Sequence, residues 1–156
     1  MPKLIFLGTS AAVPDQTHEN THLAMLTEKR LLLIDAGNNP FLRLQQAGLD
    51  PLQVTDLLVT HFHPDHASAV PAFLMNIWLS GRTAALQIYG LHTTLERIRQ
   101  NLELYEWKSW PNFFPVFFHP LLEQELAPAI EADDLNLYTS PVHHMVPGVG
   151  LRIEFA

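Results

Sequence analysis

Three histidines and an aspartate crowd into six residues of this 156-residue chain, His61-Phe62-His63-Pro64-Asp65-His66. Imidazole nitrogens and carboxylate oxygens at this density make a donor set for a divalent cation such as zinc. His61 and His63 stand two apart, so in an extended segment their side chains project the same way and can chelate one ion. Asp65 and His66 lie past the bend imposed by Pro64 and can face a second ion. A polar turn without ligand duty is the plain alternative, and the density of donors weighs against it. The chain has no cysteine, which excludes thiolate ligands and a disulfide framework. It also lacks a Gly-x-Ser-x-Gly elbow, so the main covalent nucleophiles are missing. A metal-activated water is then the candidate nucleophile, one that Asp65, besides ligating, could orient or deprotonate.

The elements that must hold this cluster are readable around it. Residues 55–60 predict a buried strand through Leu57, Leu58 and Val59, and the histidines follow at its C-terminal end, where a sheet would hold them. Val70, Phe73, Leu74, Ile77 and Trp78 then recur at helical spacing and predict an amphipathic helix ending near Gly81. Upstream, strands are predicted at 3–8, 22–26 and 30–35, the last two joined by a Glu28-Lys29 turn. Asn39 followed by Pro40 predicts a capped helix stopped by Gly48, and Asp50-Pro51 starts a further short turn. Downstream, a short strand at 86–89 precedes a helix carrying Leu95, Ile98, Leu102 and Tyr105 inward, with Thr93 and Glu96 as a capping box. Further strands are predicted at 124–130, 135–140 and 150–155, the last with Leu151, Ile153 and Phe155 on a dry face. The Pro- and aromatic-rich stretch 107–120 reads as irregular, a lid or a connecting loop.

Length and a 47% apolar content suit one domain with one core. The apolar run near the N-terminus is too short for a signal peptide and no stretch reaches membrane-spanning length, which, with the absence of cysteine, points to a soluble cytoplasmic protein. A formal charge of −7 argues against a general electrostatic grip on nucleic acid. Of the nine histidines, His92 and His119 read as ordinary surface or loop residues, while His18 and His22 flank a loop that can border the site.

His-x-His-x-Asp-His after a buried strand resembles the signature of the metallo-β-lactamase superfamily. Leu4-Ile5-Phe6-Leu7-Gly8-Thr9-Ser10 and Leu32-Leu33-Ile34-Asp35-Ala36-Gly37 extend the likeness to its ribonuclease Z-like branch. The resemblance implies an α/β fold of the αββα type, with mixed sheets packed against helices, here the N-terminal portion: 1–156 as a single domain truncated before its C-terminal half. It implies that His61, His63 and a later histidine bind one zinc and that Asp65 and His66 bind another. The later histidine is His144, six residues before Gly150; His143 is one short of that spacing and is the alternative. Asp35 is implied as a carboxylate behind the site, bonded to a ligand imidazole, with a turn aspartate as its plain alternative.

The branch cuts precursor tRNA to leave a 3′-hydroxyl, so the leading expectation is a zinc-dependent phosphodiesterase or endoribonuclease acting on tRNA 3′ ends. Two zinc ions are implied for the complete fold and one or two for this chain, because the family's bridging aspartate and last histidine have no counterpart here. The loop 14–21 lacks the basic residues of the tRNA-processing enzymes, and Pro64 stands where they carry glycine. The alternatives are a hydrolase of a small ester, sulfate or lactone, and a non-catalytic zinc-stabilised fragment. Expected partners are tRNA or a small phosphodiester, with no membrane. A homodimer, or a chain supplying the missing half, would cover surfaces that a partial fold exposes.

Overall fold

The computed structural model describes residues 1–155. Six strands lie side by side in chain order: β1 (Lys3–Gly8), β2 (His22–Leu26), β3 (Leu31–Ile34), β4 (Asp56–Leu58), β5 (Leu86–Leu91) and β6 (Val116–Leu121). The first three pair antiparallel and β3 to β6 run parallel. Parallel neighbours need crossovers, and helices supply them. These are α1 (Pro40–Gln46), α2 (Pro64–Ala67), α3 (Val70–Leu79) and α4 (His92–Glu103). A separate antiparallel sheet holds β7 (Ala127–Glu131), β8 (Leu135–Val142) and β9 (Gly148–Phe155).

The strand Leu31-Leu32-Leu33-Ile34 shows why the layers stack as they do, since all four residues are buried. Leu31 and Leu33 point into a cluster with Leu44, Phe73, Leu74, Ile77, Leu95 and Ile98 of the helices. Leu32 and Ile34 point the other way, against Ile130, Leu135, Leu137 and Val149 of the small sheet. Alternation along a strand covered on both faces therefore builds two cores at once. The order is helices, large sheet, small sheet, a mixed α/β architecture. Among the described residues no helix is long and apolar enough to cross a membrane.

Three local expectations are corrected. The stretch 107–120 is not irregular throughout: Val116–Leu121 forms β6, an edge strand on β5. Pro120 is tolerated there because an edge strand has a side that needs no N–H donor. Helix α4 begins at His92 directly from β5, without a side-chain cap, so Thr93 and Glu96 form no capping box. Tyr105 falls beyond the end of α4 and is 58% exposed instead of facing the core.

Candidate metal centre

The cluster grows from the C-terminal ends of β3 and β4. After Leu58 the chain stays extended, with the Val59 N–H donating to Tyr89 O at 2.9 Å, and then turns into the single-turn helix α2. His63 is the residue before that helix and Pro64 its first residue, where proline's missing N–H and fixed φ cost nothing. The loop after β3 clamps α2 in place: Ala36 N–H donates to His66 O at 2.7 Å, and Ala69 N–H donates to Ala36 O at 2.9 Å. Contact is so close that a Cβ on Gly37 would lie 2.0 Å from Asp65 O, which only glycine accommodates.

The other contribution comes from the small sheet. Gly148, at the start of β9, forms an isolated antiparallel bridge with His61, and Val149 N–H donates to Thr60 O at 3.1 Å. This stitch brings the β8–β9 loop over the cluster and sets His144 Nε2 3.2 Å from His63 Nδ1. Ring centroids lie 4.8 Å apart for His61 and His63, 4.7 Å for His61 and His144, and 4.9 Å for His63 and His144. His66 packs against His61 at 4.1 Å, and its Nε2 faces Asp65 Oδ2 at 3.3 Å.

Asp35 lies beneath these rings, 5% exposed and with a left-handed φ of 63°. Its Oδ2 accepts from His66 Nδ1 at 2.7 Å, and its Oδ1 accepts from Thr60 N–H at 2.7 Å. Thr60 Oγ1 also contacts both carboxylate oxygens, at 3.0 and 2.9 Å. Nothing local in the sequence signals the pairing of Thr60 with a carboxylate 25 residues earlier. His143 stays outside the cluster, lining with His144, Glu123 and Leu91 a neighbouring recess of about 340 Å³. His18 is held at the surface by Asp15, His92 lies 3.8 Å from Glu96, and His119 bonds Gln87 at 2.7 Å. His22 is buried, its Nδ1 bonded to Asn20 O at 2.7 Å.

Electrostatics keep the central ring neutral. Burial, helped by the neighbouring His66, His144 and His63, pushes His61 down to about 4, against the pull of Asp35. Burial also pulls His66 downward, but the Asp35 bond and charge, with Asp65 beside it, outweigh that and the net shift is upward.

The arrangement fits a metal ion. The donor atoms of His61, His63 and His144 all lie within 4.8 Å of one another. With metal–nitrogen bonds of about 2.0–2.1 Å, tetrahedral ligand nitrogens stand about 3.3 Å apart, close to the His63–His144 separation. His61 Nε2 is buried and has no hydrogen-bond partner among the described residues. An orphaned imidazole nitrogen beside two others is costly unless a cation receives it.

The chain belongs to the metallo-β-lactamase superfamily, whose family model matches residues 18–151. It is 28% identical over 147 residues to a ribonuclease Z of Methanococcus maripaludis, an alignment covering 94% of this chain and 46% of that protein. To a ribonuclease Z of Pyrococcus abyssi it is 30% identical over 152 residues, covering 96% of this chain and 47% of the relative. The chain thus spans about half the length of the curated relatives it matches. In fold it is similar to the short form of human tRNase Z, with a TM-score of 0.85 at 22% identity, over 99% of this chain and 64% of that one. The metallo-β-lactamase-fold protein YhfI from Bacillus subtilis is similar at a TM-score of 0.76 and 15% identity, over 98% and 57%. Membership implies a metal-binding site, and the histidine cluster is where the donors gather.

Proposed function

We propose that this chain is the metal-binding portion of a cytoplasmic zinc hydrolase that cleaves phosphodiester bonds, with the 3′ ends of precursor tRNA as its substrate. The observation that carries the reading is the convergence of His144 on His61 and His63, across 81 residues of chain and from a different sheet. The ribonuclease Z relatives support the substrate. His61 Nε2, His63 Nδ1 and His144 Nε2 would hold one ion, and Asp65 with His66 would hold a second. Bound zinc supplies Lewis acidity and a water acidic enough to lose its proton near neutral pH. Asp65 would orient that water and accept its proton. Asp35 keeps the His66 ring turned so that Nε2 faces Asp65.

A second reading, hydrolysis of a small ester, sulfate or lactone, is favoured by charge. The chain carries −7, and Lys29, Arg30, Lys108 and Arg152 are each engaged by a carboxylate. The five remaining cations are outnumbered by the chain's 16 acidic residues, which leaves little net attraction for a polyanion. Side-by-side cleavage of precursor tRNA and small aryl phosphodiesters by the zinc-loaded protein separates the two: cutting at one defined tRNA position supports the first, and turnover of small esters alone supports the second. One tightly held ion with no turnover of either under excess zinc would overturn both and leave a zinc-stabilised binding module.

The reading includes self-association through the helix layer. Helix α3, Val70–Leu79, is apolar except for Asn76, and helices apolar all round are normally buried. Yet Met75 and Leu79 are exposed, Leu79 beside Leu42 of α1 and Met75 beside Tyr105 after α4. At roughly 200 Å² for a large apolar side chain, these four expose roughly 400 Å², about half of the ~800 Å² per partner of a stable interface. None of the four carries a charge, so a second copy of this acidic chain can meet the face without repulsion.

A further inference from the structure

Histidine ligates through whichever ring nitrogen lacks a proton, and that is decided by what the other nitrogen bonds. His61 Nδ1 lies 3.0 Å from Thr60 Oγ1. The Thr60 hydroxyl has one proton, and it lies within 3.0 Å of both oxygens of Asp35, a group that as a carboxylate can only accept. Its proton therefore goes to Asp35, and Thr60 Oγ1 is left as an acceptor toward His61. The 3.0 Å contact is a hydrogen bond only if His61 Nδ1 carries the proton. The lone pair then resides on Nε2, the buried atom that has no partner among the described residues.

From this chain of donors we infer that Thr60 is a positioning residue that transmits the Asp35 carboxylate to His61 and fixes its Nε2-ligating tautomer. Asp35 acts on His66 directly and on His61 through Thr60, so one carboxylate orients a ring on each side of the centre. The hydroxyl is indispensable to this role, whereas the threonine methyl is not: serine preserves the relay and isosteric valine removes it. The inference rests on His61 being a ligand, but the tautomer is a property of the metal-free chain and can fail separately.

The test is nitrogen-15 NMR of the chelator-treated full chain with labelled histidine, for wild type, Thr60→Val and Thr60→Ser, followed by zinc titration against a competing chelator. Wild type and Thr60→Ser should show His61 protonated at Nδ1. Thr60→Val should show mixed tautomers and about 10- to 100-fold weaker zinc binding, the range for loss of a group that orients a metal ligand. A wild-type His61 protonated at Nε2 would overturn the inference whether or not the valine variant folds. So would a folded Thr60→Val protein that keeps both the tautomer and the affinity, or a Thr60→Ser protein as weak as the valine variant. Absence of zinc binding by the wild type with the Nδ1–H tautomer intact would instead sink the proposed metal site.

Discussion

Gly148 faces His61 so closely that a Cβ placed on it would meet the His61 Cβ at 3.0 Å. The small sheet reaches the cluster at this bridge, and the approach depends on a residue without a side chain. A Gly148→Val substitution should push β9 away from Thr60 and His61, costing about 1–3 kcal/mol of stability, the usual range for overpacking. His144 would move with the strand, so cobalt binding followed by absorption should weaken in the same variant. Unchanged melting and unchanged cobalt spectra would show that the bridge does not position the loop.

The buried His22 predicts a pH dependence. Burial lowers its pKa from 6.5, opposed first by the hydrogen bond to Asn20 O and then by Glu19 and Asp35, while Arg43 adds to the shift. Because the folded value lies below the unfolded one, the unfolded chain takes up the proton first as pH falls. The contribution of His22 to stability is thus complete above about pH 6.5 and is lost as pH drops toward the folded value. Thermal melts of the chelator-treated chain between pH 7.5 and 5.5 should show a falling midpoint, with a shallower fall in His22→Gln. Identical slopes for the two proteins would rule out this contribution.

Self-association makes a separate prediction. Leu79, the last residue of α3, is 67% exposed, and replacing it with glutamate puts a charge on each copy's share of a two-fold interface. Sedimentation should find the wild type as a dimer at micromolar concentration and Leu79→Glu as a folded monomer, which lacks the stabilisation that dimerisation gives the wild type. A wild type that stays monomeric at hundreds of micromolar would eliminate the interface.

What the sequence made legible follows from the range of each interaction. The His61-to-His66 group stands out because its spacing is local, and α3 because its helical period is unbroken. Strand β6 is hidden because Pro111, Pro115 and Pro120 around Val116, Phe117 and Phe118 resemble loop composition, and only pairing with β5 reveals an edge strand. The supposed cap at Thr93 failed because β5 enters α4 directly, leaving no turn for a capping side chain to close. The bond from Asp35 to Thr60 and the approach of Gly148 to His61 join distant segments and leave no periodic trace.

The adjacent pair His143-His144 gives the sharpest test of the candidate centre. The chain bends at His144 just after β8, and of the two rings only His144 comes within reach of His61 and His63. His144→Ala would leave two imidazoles where a catalytic zinc site takes three protein ligands, so the ion should be lost from the purified chain. His143→Ala should keep it, because that ring contributes to the outer recess and to none of the convergent donors. Zinc per chain after exhaustive dialysis, measured by mass spectrometry of the metal, decides the matter. Retention of zinc by the His144 variant together with its loss from the His143 variant would move the ligand one residue back and require the β8–β9 loop to adopt a different path over His61.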